Sequence, residues 1–211
     1  MSIIQQSDFS HMLKKIEDHK EKSESRIKIC YEEYTDEIMN EEYLKNVYFY
    51  RCNFYNCDFK HTSFSRTVFK ECSFEYCNFT DCDIKGTRFL ESHLKRVKLE
   101  KCNTMSMGLE YSTLESLTID LCEAIDLDIT GSTLDNITHP FERMLTINGL
   151  EYPISIVGDM VRVGCQRHSY KKWKDFEPES IEKMAENAWN FYPTLLNLLE
   201  GIFKPVYKGV R

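Results

Sequence analysis

The sequence has no apolar run near the roughly 20 residues that a membrane-spanning helix needs, and its mean hydropathy is −0.47. The first six residues have neither a basic start nor an apolar core, so we expect no secretion signal. No glycine-rich phosphate loop, nucleophile elbow or metal-binding helix motif is present. These absences predict a cytoplasmic protein that uses no cofactor and no metal.

Tight C-x-x-C pairs, which are typical of zinc sites, are also missing, although the chain contains nine cysteines. Free cysteines in a chain without an export signal indicate a reducing compartment. The net charge of −7 over 211 residues is acidic and is therefore unlike that of a general nucleic-acid-binding protein. The length allows one or two domains with a sizeable core.

What the sequence does have is a repeat of five residues between Val47 and Leu134. Every fifth position from Phe49 to Leu134 is occupied by Phe, Leu or Ile in 16 of 18 cases, with Thr104 and Ala124 as the exceptions. Neither a helix nor a strand gives this period, whereas a solenoid does, because each unit buries its apolar residue against the turns above and below. The position two residues earlier is mostly small and holds seven cysteines, which we expect to be buried and unpaired: Cys52, Cys57, Cys72, Cys77, Cys82, Cys102 and Cys122.

The repeating unit small–x–Phe/Leu–x–x, as in residues 52–56 and 57–61, resembles the pentapeptide-repeat family. This resemblance implies a mainly β fold, a right-handed quadrilateral β-helix in which four pentapeptides form one coil. Residues twenty apart then stack, so that Phe49, Phe69 and Phe89 share one ladder. We expect this solenoid to span residues 46–137, between an N-terminal helical cap (1–45) and a small α+β C-terminal module (138–211).

The flanking segments carry their own patterns. An amphipathic helix is predicted over residues 7–22, with Ser7 or Asp8 as its cap, followed by a strand over 26–31. The acidic stretch 32–44 is ambiguous, and we predict helix there. At the other end, Asn148-Gly149 predicts a hairpin within residues 145–152.

Two short strands, residues 154–157 and 160–163, should follow that hairpin. A helix is predicted after Pro178, and Pro193 should end it or open a second helical turn. The segment from Ile156 to His168, with Trp173 and Phe176 after it, is similar to a C-terminal extension on repeat proteins of tailed bacteriophages. This resemblance implies a phage accessory protein made inside a bacterium.

Charge is distributed unevenly along the repeat. Residues 46–101 carry ten basic and seven acidic side chains, whereas residues 102–135 carry seven acidic ones and no basic one. Several pentapeptide-repeat proteins resemble duplex DNA in width and charge and bind enzymes such as DNA gyrase in its place. We therefore predict an acidic partner-binding face, with ordinary solubility as the alternative explanation, made of Glu110, Glu115, Asp120, Glu123, Asp126, Asp128 and Asp135.

Two features of the C-terminal module allow other functions. A basic patch with an interleaved aromatic residue could contact phosphates, or could be a solvated face behind a packed tryptophan: Arg167, Lys171, Lys172, Trp173 and Lys174. Cys165 and His168 could act as a nucleophile and its base, or could be structural. We favour the structural interpretation of both features.

The sequence thus predicts a non-enzymatic protein-binding inhibitor, encoded by a phage, that blocks a bacterial host protein such as a nucleic-acid-processing or antiviral-defence enzyme. Partial DNA mimicry is the expected mechanism. Direct binding to nucleic acid or to a membrane is not expected, and a homodimer is left open. The alternatives are an enzyme that uses Cys165 and His168, and a structural or assembly protein that serves as a spacer.

Overall fold

The computed structural model of the protein describes residues 5–6, 8–22, 26–122 and 126–204. Short parallel strands wind around one axis, three to a coil in the first four coils, and this confirms the predicted four-sided β-solenoid. In chain order the elements are β1 (Gln5–Gln6), α1 (Phe9–Lys22), β2 (Lys28–Cys30), β3 (Glu32–Thr35), β4 (Ile38–Asn40), β5 (Tyr48–Tyr50), β6 (Asn53–Tyr55), β7 (Asp58–Lys60), β8 (Val68–Lys70), β9 (Ser73–Glu75), β10 (Asn78–Thr80), β11 (Arg88–Leu90), β12 (His93–Lys95), β13 (Lys98–Glu100), β14 (Thr113–Glu115), β15 (Thr118–Asp120) and β16 (Thr133–Asp135).

The coils present four faces. Face 1 contains β2, β5, β8 and β11; face 2 contains β1, β3, β6, β9, β12, β14 and β16; face 3 contains β4, β7, β10, β13 and β15. Face 4 is joined by single bridges that link Tyr43, Ser63, Asp83 and Asn103 in succession. All pairs within faces 1 to 3 are parallel, and partners are twenty residues apart wherever one coil follows the next, as in Phe49 with Phe69.

Every corner of the solenoid is a residue in the left-handed conformation. These residues recur every fifth position from Tyr31 to Asn136, and only Gly86 and Gly131 among them are glycines. A non-glycine residue pays a steric cost there, which is offset because its N–H donates to a carbonyl of the next coil, as from Arg51 to Lys70 at 3.0 Å. The five-residue period is therefore the spacing between corners.

The core consists of the predicted ladders. The ring centroids of Phe49 and Phe69 are 4.8 Å apart, and those of Phe54 and Phe74 are 4.5 Å apart, both pairs being stacked. The small slot beside each ladder holds a thiol or hydroxyl that donates to a carbonyl of the preceding coil, as from Cys82 to Phe59 at 3.3 Å. Six of the seven repeat cysteines are buried, as predicted, while Cys122 is half-buried.

The N-terminal segment differs from its prediction in one respect. Helix α1 is confirmed, with Asp8 accepting from the N–H of His11 at 2.6 Å, and β2 confirms the predicted strand. The predicted helix over 32–44 is wrong, because these residues form β3, β4 and the bridge at Tyr43 of a first coil. The solenoid therefore begins near residue 26, and α1 packs its buried Phe9, 5.5 Å from the ring of Phe59, over that end.

The C-terminal residues form an antiparallel sheet and three helices: β17 (Met144–Ile147), β18 (Ile154–Val157), β19 (Met160–Val163), β20 (Gln166–Ser169), α2 (Tyr170–Lys174), α3 (Pro178–Glu182) and α4 (Ala188–Phe203). The predicted strands 154–157 and 160–163 are confirmed. The predicted tight hairpin within residues 145–152 is wrong: β17 pairs with β18, and residues 148–153 form the loop that joins them. Pro193 lies inside α4 instead of ending a helix, and the break falls at Asn187, whose φ is 64°.

This sheet closes the second end of the solenoid. Thr146 donates to the carbonyl of Ser132 at 2.8 Å, and the hydroxyls of Thr130 and Ser155 are 3.2 Å apart. Met144 and Val157 pack against the solenoid core, while Ile154 and Ile156 face the helices. Both ends of the coil are thus covered by the chain itself.

Candidate functional site

Glu110, the first residue of the predicted acidic face, is not an outward carboxylate. It is 7% exposed, and one of its oxygens accepts from Arg88 at 2.5 Å and 3.0 Å. Its carboxylate lies directly over Gly108, where any side chain would collide with it. The absence of a side chain at Gly108 therefore lets Glu110 fold back onto face 1, and the prediction that it points to solvent is wrong.

Asp126 and Asp128 are also engaged within the molecule. Asp126 accepts from Arg167 at 2.8 Å and from Arg162 at 3.3 Å, and Asp128 lies 3.1 Å from Arg162. Asp128 also accepts from the N–H and hydroxyl of Thr130. Because both arginines belong to the C-terminal sheet, these two carboxylates join that sheet to the solenoid.

Three members of the predicted face remain accessible. Asp120 on face 3 and Asp135 on face 2 are exposed, and neither forms an ion pair with a residue that the structure describes. Glu115 lies 3.5 Å from His93 and 3.7 Å from Lys95, so its charge is partly compensated. Glu123 lies outside the described residues. The accessible acidic surface is therefore smaller than predicted and lies on faces 2 and 3.

The predicted basic and aromatic patch does not assemble a stacking surface. Trp173 is 3% exposed and its indole N–H donates to the carbonyl of Val161 at 3.0 Å, so it cannot stack on a base. Arg167 is paired with Asp126. Lys171, Lys172 and Lys174 are exposed, and the ammonium of Lys172 lies 4.8 Å from the ring of Phe176. The tryptophan belongs to the core, and the lysines are a solvated helix face.

Cys165 and His168 are near in sequence but engage different neighbours. Cys165 is exposed at the turn between β19 and β20, where its sulfur accepts from Gln166 at 3.8 Å. The ring of His168 packs edge-on against Trp173 at 5.3 Å and Phe176 at 4.9 Å. Burial, with a smaller contribution from Lys172, lowers the pKa of His168. The thiol has no base within hydrogen-bonding distance among the described residues.

Beside Cys165 is a small apolar cavity of about 90 Å³ between α3, α4 and the sheet, lined mainly by hydrophobic side chains such as Val163, Ile181 and Leu195. In the part of the chain that the structure describes, no three His, Cys, Asp or Glu side chains are grouped as a metal site. None of the described helices is both long and apolar enough to cross a bilayer.

A further surface feature was missed by the sequence analysis. Large apolar side chains project from the sides of the solenoid, and five of them are tyrosines: Tyr31, Tyr43, Tyr55, Tyr76 and Tyr111. Tyr55 and Tyr76 contact each other at 5.6 Å, and Arg96 lies 5.0 Å over the ring of Tyr76. The signal was available for Tyr55, Tyr76 and Tyr111, which occupy outward positions of the recognised five-residue repeat; Tyr31 and Tyr43 lie in the first coil, which the sequence analysis did not assign to the solenoid.

Comparison with known proteins agrees with this architecture. Residues 43–123, fewer than half of the chain, match the family model of the pentapeptide repeat region. No curated protein sequence matches the chain.

Similar solved structures include the pentapeptide repeat protein Rfr23 from the cyanobacterium Cyanothece 51142, at 14% identity and a TM-score of 0.29 over 50% of this chain and 63% of that one. A trypsin-treated form of QnrB1, a plasmid-mediated fluoroquinolone resistance protein, is 16% identical with a TM-score of 0.33, over 52% and 61% of the two chains. HetL from Nostoc sp. strain PCC 7120, a protein involved in heterocyst differentiation regulation, is 8% identical with a TM-score of 0.24, over 63% and 94%. Residues 43–123 of this chain thus match the pentapeptide repeat region in sequence, and they lie within a parallel β-solenoid.

Proposed function

We propose that this protein is a non-enzymatic binding protein whose partner, another protein, contacts the sides of the solenoid. The observation that carries this proposal is the set of exposed tyrosines on a rod whose two ends are closed. Tyrosine and arginine are the residue types that dominate binding energy in protein interfaces. Tyr55 and Tyr76, with Arg96 over the ring of Tyr76, form one such cluster where faces 2 and 3 meet.

The finer proposal is that the partner is a bacterial nucleic-acid-processing or antiviral-defence enzyme, and that the inhibitor is encoded by a phage and acts in the host cytoplasm. Asp120, Asp135 and Glu115 support it, because they place carboxylates on the same two faces as the tyrosine cluster. A rigid surface with spaced carboxylates can occupy a site that normally binds phosphates. Glu110, Asp126 and Asp128 take no part, since they are engaged within the chain.

Affinity capture from a bacterial lysate, followed by measurement of binding to the purified partner, tests the proposal. We expect one stoichiometric protein, bound at least tenfold more weakly by the variant Tyr55→Ser with Tyr76→Ser. The matched control, Tyr111→Ser, removes an exposed tyrosine from the corner between faces 1 and 2, away from the Tyr55–Tyr76 cluster, and should bind normally. Equal loss in both variants, or none in the first, would place the partner elsewhere on the molecule.

A second pair of variants tests the acidic mechanism. Asp120→Asn with Asp135→Asn should weaken partner binding and reduce its salt dependence, because exposed charges are screened within about 8 Å at physiological ionic strength. The control replaces two exposed acids of earlier coils by Asn: Asp36 at the corner between faces 2 and 3, and Asp81 at the corner between faces 3 and 4. If only the control loses binding, the proposal that Asp120 and Asp135 mimic phosphates is wrong. If the protein is instead a spacer that binds through its terminal modules, neither double variant should change partner binding.

A further inference from the structure

A strip of positive charge runs along the corner between faces 4 and 1. It consists of three neighbouring outward columns, each of which repeats every twenty residues. The columns are Lys45, Ser65 and Lys85; Arg26, Asn46, Arg66 and Gly86; and Lys28, Tyr48, Val68 and Arg88. We call the six cations Arg26, Lys28, Lys45, Arg66, Lys85 and Arg88 the basic strip; the three columns contain no acidic residue over these coils.

The strip stands apart from the other charged surfaces because five of its six cations form no ion pair with a residue that the structure describes. Within the described residues, Arg88 alone of the six forms an ion pair, with Glu110 of the following coil. At the other edge of face 1, where it meets face 2, cations are neutralised between coils, as in Arg51 with Glu71 at 2.7 Å and Lys70 with Glu91 at 3.3 Å. In a chain of net charge −7, a surface of this kind points to an anionic ligand.

The strip is also partly fixed in place. The guanidinium of Arg26 donates to the side chain of Asn46 at 3.0 Å and to the carbonyl of Arg66 at 3.1 Å, spanning three coils. A shallow depression beside it is lined by Tyr43, Lys45, Asn46 and Arg66. A site whose cations are held by neighbours loses less side-chain freedom on binding than free lysines would.

The spacing of the cations selects the shape of the ligand. Successive coils are about 4.8 Å apart, so the strip presents four levels of positive charge at that interval: Arg26 with Lys28, then Lys45, then Arg66, then Lys85 with Arg88. An α-helix repeats one face about every 5.4 Å, whereas alternate residues of an extended strand lie about 6.6–6.8 Å apart. Over three intervals, the charges of the ligand and the levels of the strip drift apart by about 2 Å for a helix and by about 6 Å for a strand. Long Lys and Arg side chains can adjust by the first distance but not by the second.

We propose that the basic strip binds the acidic face of an α-helix in a partner protein, with one carboxylate per helical turn opposite each level of the strip. This inference rests on the proposed protein-binding function and adds a second contact surface. It lies on the side of the solenoid opposite Tyr55, Asp120 and Asp135, so one bound partner would have to wrap around the rod or two partners could bind together.

The test uses the full-length protein and a synthetic helical peptide with Glu once per turn along one face, measured by fluorescence anisotropy. A second peptide of the same composition has its Glu residues distributed around the helix, and a single-stranded oligothymidylate is the third probe. We expect the first peptide to bind at least tenfold more tightly than the second and more tightly than the oligonucleotide, with affinity falling steeply as salt is raised.

The variant Arg66→Glu with Lys85→Glu should weaken binding of the first peptide at least tenfold. The control, Lys60→Glu on face 3 with Lys101→Glu at the corner between faces 3 and 4, makes the same change in net charge and should stay within about twofold of the wild type, since exposed charges are screened beyond about 8 Å. Equal binding of both peptides, preference for the oligonucleotide, or equal loss in the two variants would overturn the inference. If the Arg66→Glu, Lys85→Glu variant still captures a host protein while the Tyr55→Ser, Tyr76→Ser variant does not, the basic strip is not a contact surface for that partner. The proposed protein-binding function would then hold without this inference.

Discussion

At the scale of single residues, the same residue type serves different purposes according to what lies beneath it. Glu110 on face 1 and Asp120 on face 3 occupy the same outward position of the five-residue repeat, yet Asp120 is exposed and Glu110 is buried over Gly108. The difference comes from Gly108, two residues before Glu110, because a glycine has no side chain and leaves room for the carboxylate. A pattern of outward positions therefore cannot by itself distinguish a binding residue from a structural one.

Replacement of Glu110 tests this distinction. Glu110→Gln should destabilise the protein by about 1–3 kcal/mol, because it removes the charge-assisted hydrogen bonds to Arg88 in a largely buried position. Asp120→Asn, an exposed change of the same chemistry, should stay within about 0.5 kcal/mol. Chemical denaturation of both variants gives the comparison, and equal stability of the two would show that the Arg88 contact contributes nothing.

His168 gives the protein a pH-dependent component of stability. Its pKa is lowered by burial and by Lys172, so the unfolded chain, with a His pKa of about 6.5, binds the proton more readily than the folded one. This contribution is complete above about pH 6.5 and is lost as pH falls through the lower folded value. Urea midpoints at pH 7.5 and pH 5 should differ less in His168→Gln than in the wild type, whereas His61→Gln, at an exposed corner, should match the wild type. An NMR titration in which His168 protonates above pH 6.5 would contradict the prediction.

At the scale of elements, the solenoid could be predicted wherever the repeat is regular. The first coil was missed because its small slot carries Glu32, Glu37 and Glu42 instead of Cys, Ser or Thr. Those side chains are tolerated at an end coil, and Glu32 pairs with Lys15 of α1 at 2.8 Å. The repeat cysteines were assigned correctly, since only a small side chain fits a slot whose sulfur donates to a carbonyl of the preceding coil.

Thiol labelling checks that assignment. Cys30 and Cys165 are exposed, six repeat cysteines are buried and Cys122 is half-buried. We expect two thiols to react quickly with a colorimetric reagent under native conditions, and all nine after denaturation. Cys30 should be the slower of the fast pair, because burial and the neighbouring Cys52 raise its pKa. The variant Cys30→Ser with Cys165→Ser should lack the fast phase; four or more fast thiols in the wild type would mean that the slots are open.

At the scale of the whole molecule, the sequence could not show which distant residues contact each other in the folded protein. The acidic run over residues 102–135 was correctly recognised as a local feature, but two of its members, Asp126 and Asp128, pair with Arg162 and Arg167, more than thirty residues away on another sheet. Only folding brings these groups together. The same holds for the basic strip, whose members are scattered between residues 26 and 88 and align only once the twenty-residue coil is known. The predicted division of the chain at residues 45 and 137 stays a prediction, although the first coil begins before the earlier boundary.

The contact between Asp128 and Arg162 should make the solenoid and the C-terminal sheet unfold as one unit. Both side chains are 19% exposed and 3.1 Å apart, so a double-mutant cycle with Asp128→Asn and Arg162→Met should give a coupling of about 0.5–3 kcal/mol, as for residues in direct contact. The control cycle, Asp58→Asn with Lys60→Met, concerns an exposed pair at 3.8 Å and should give about 1 kcal/mol or less.

In Arg162→Met, limited proteolysis near residue 140 should become faster, because the sheet separates more often from the end of the coil. Coupling no larger than in the control, together with unchanged proteolysis, would mean that apolar packing by Met144 and Val157 alone holds the two parts together.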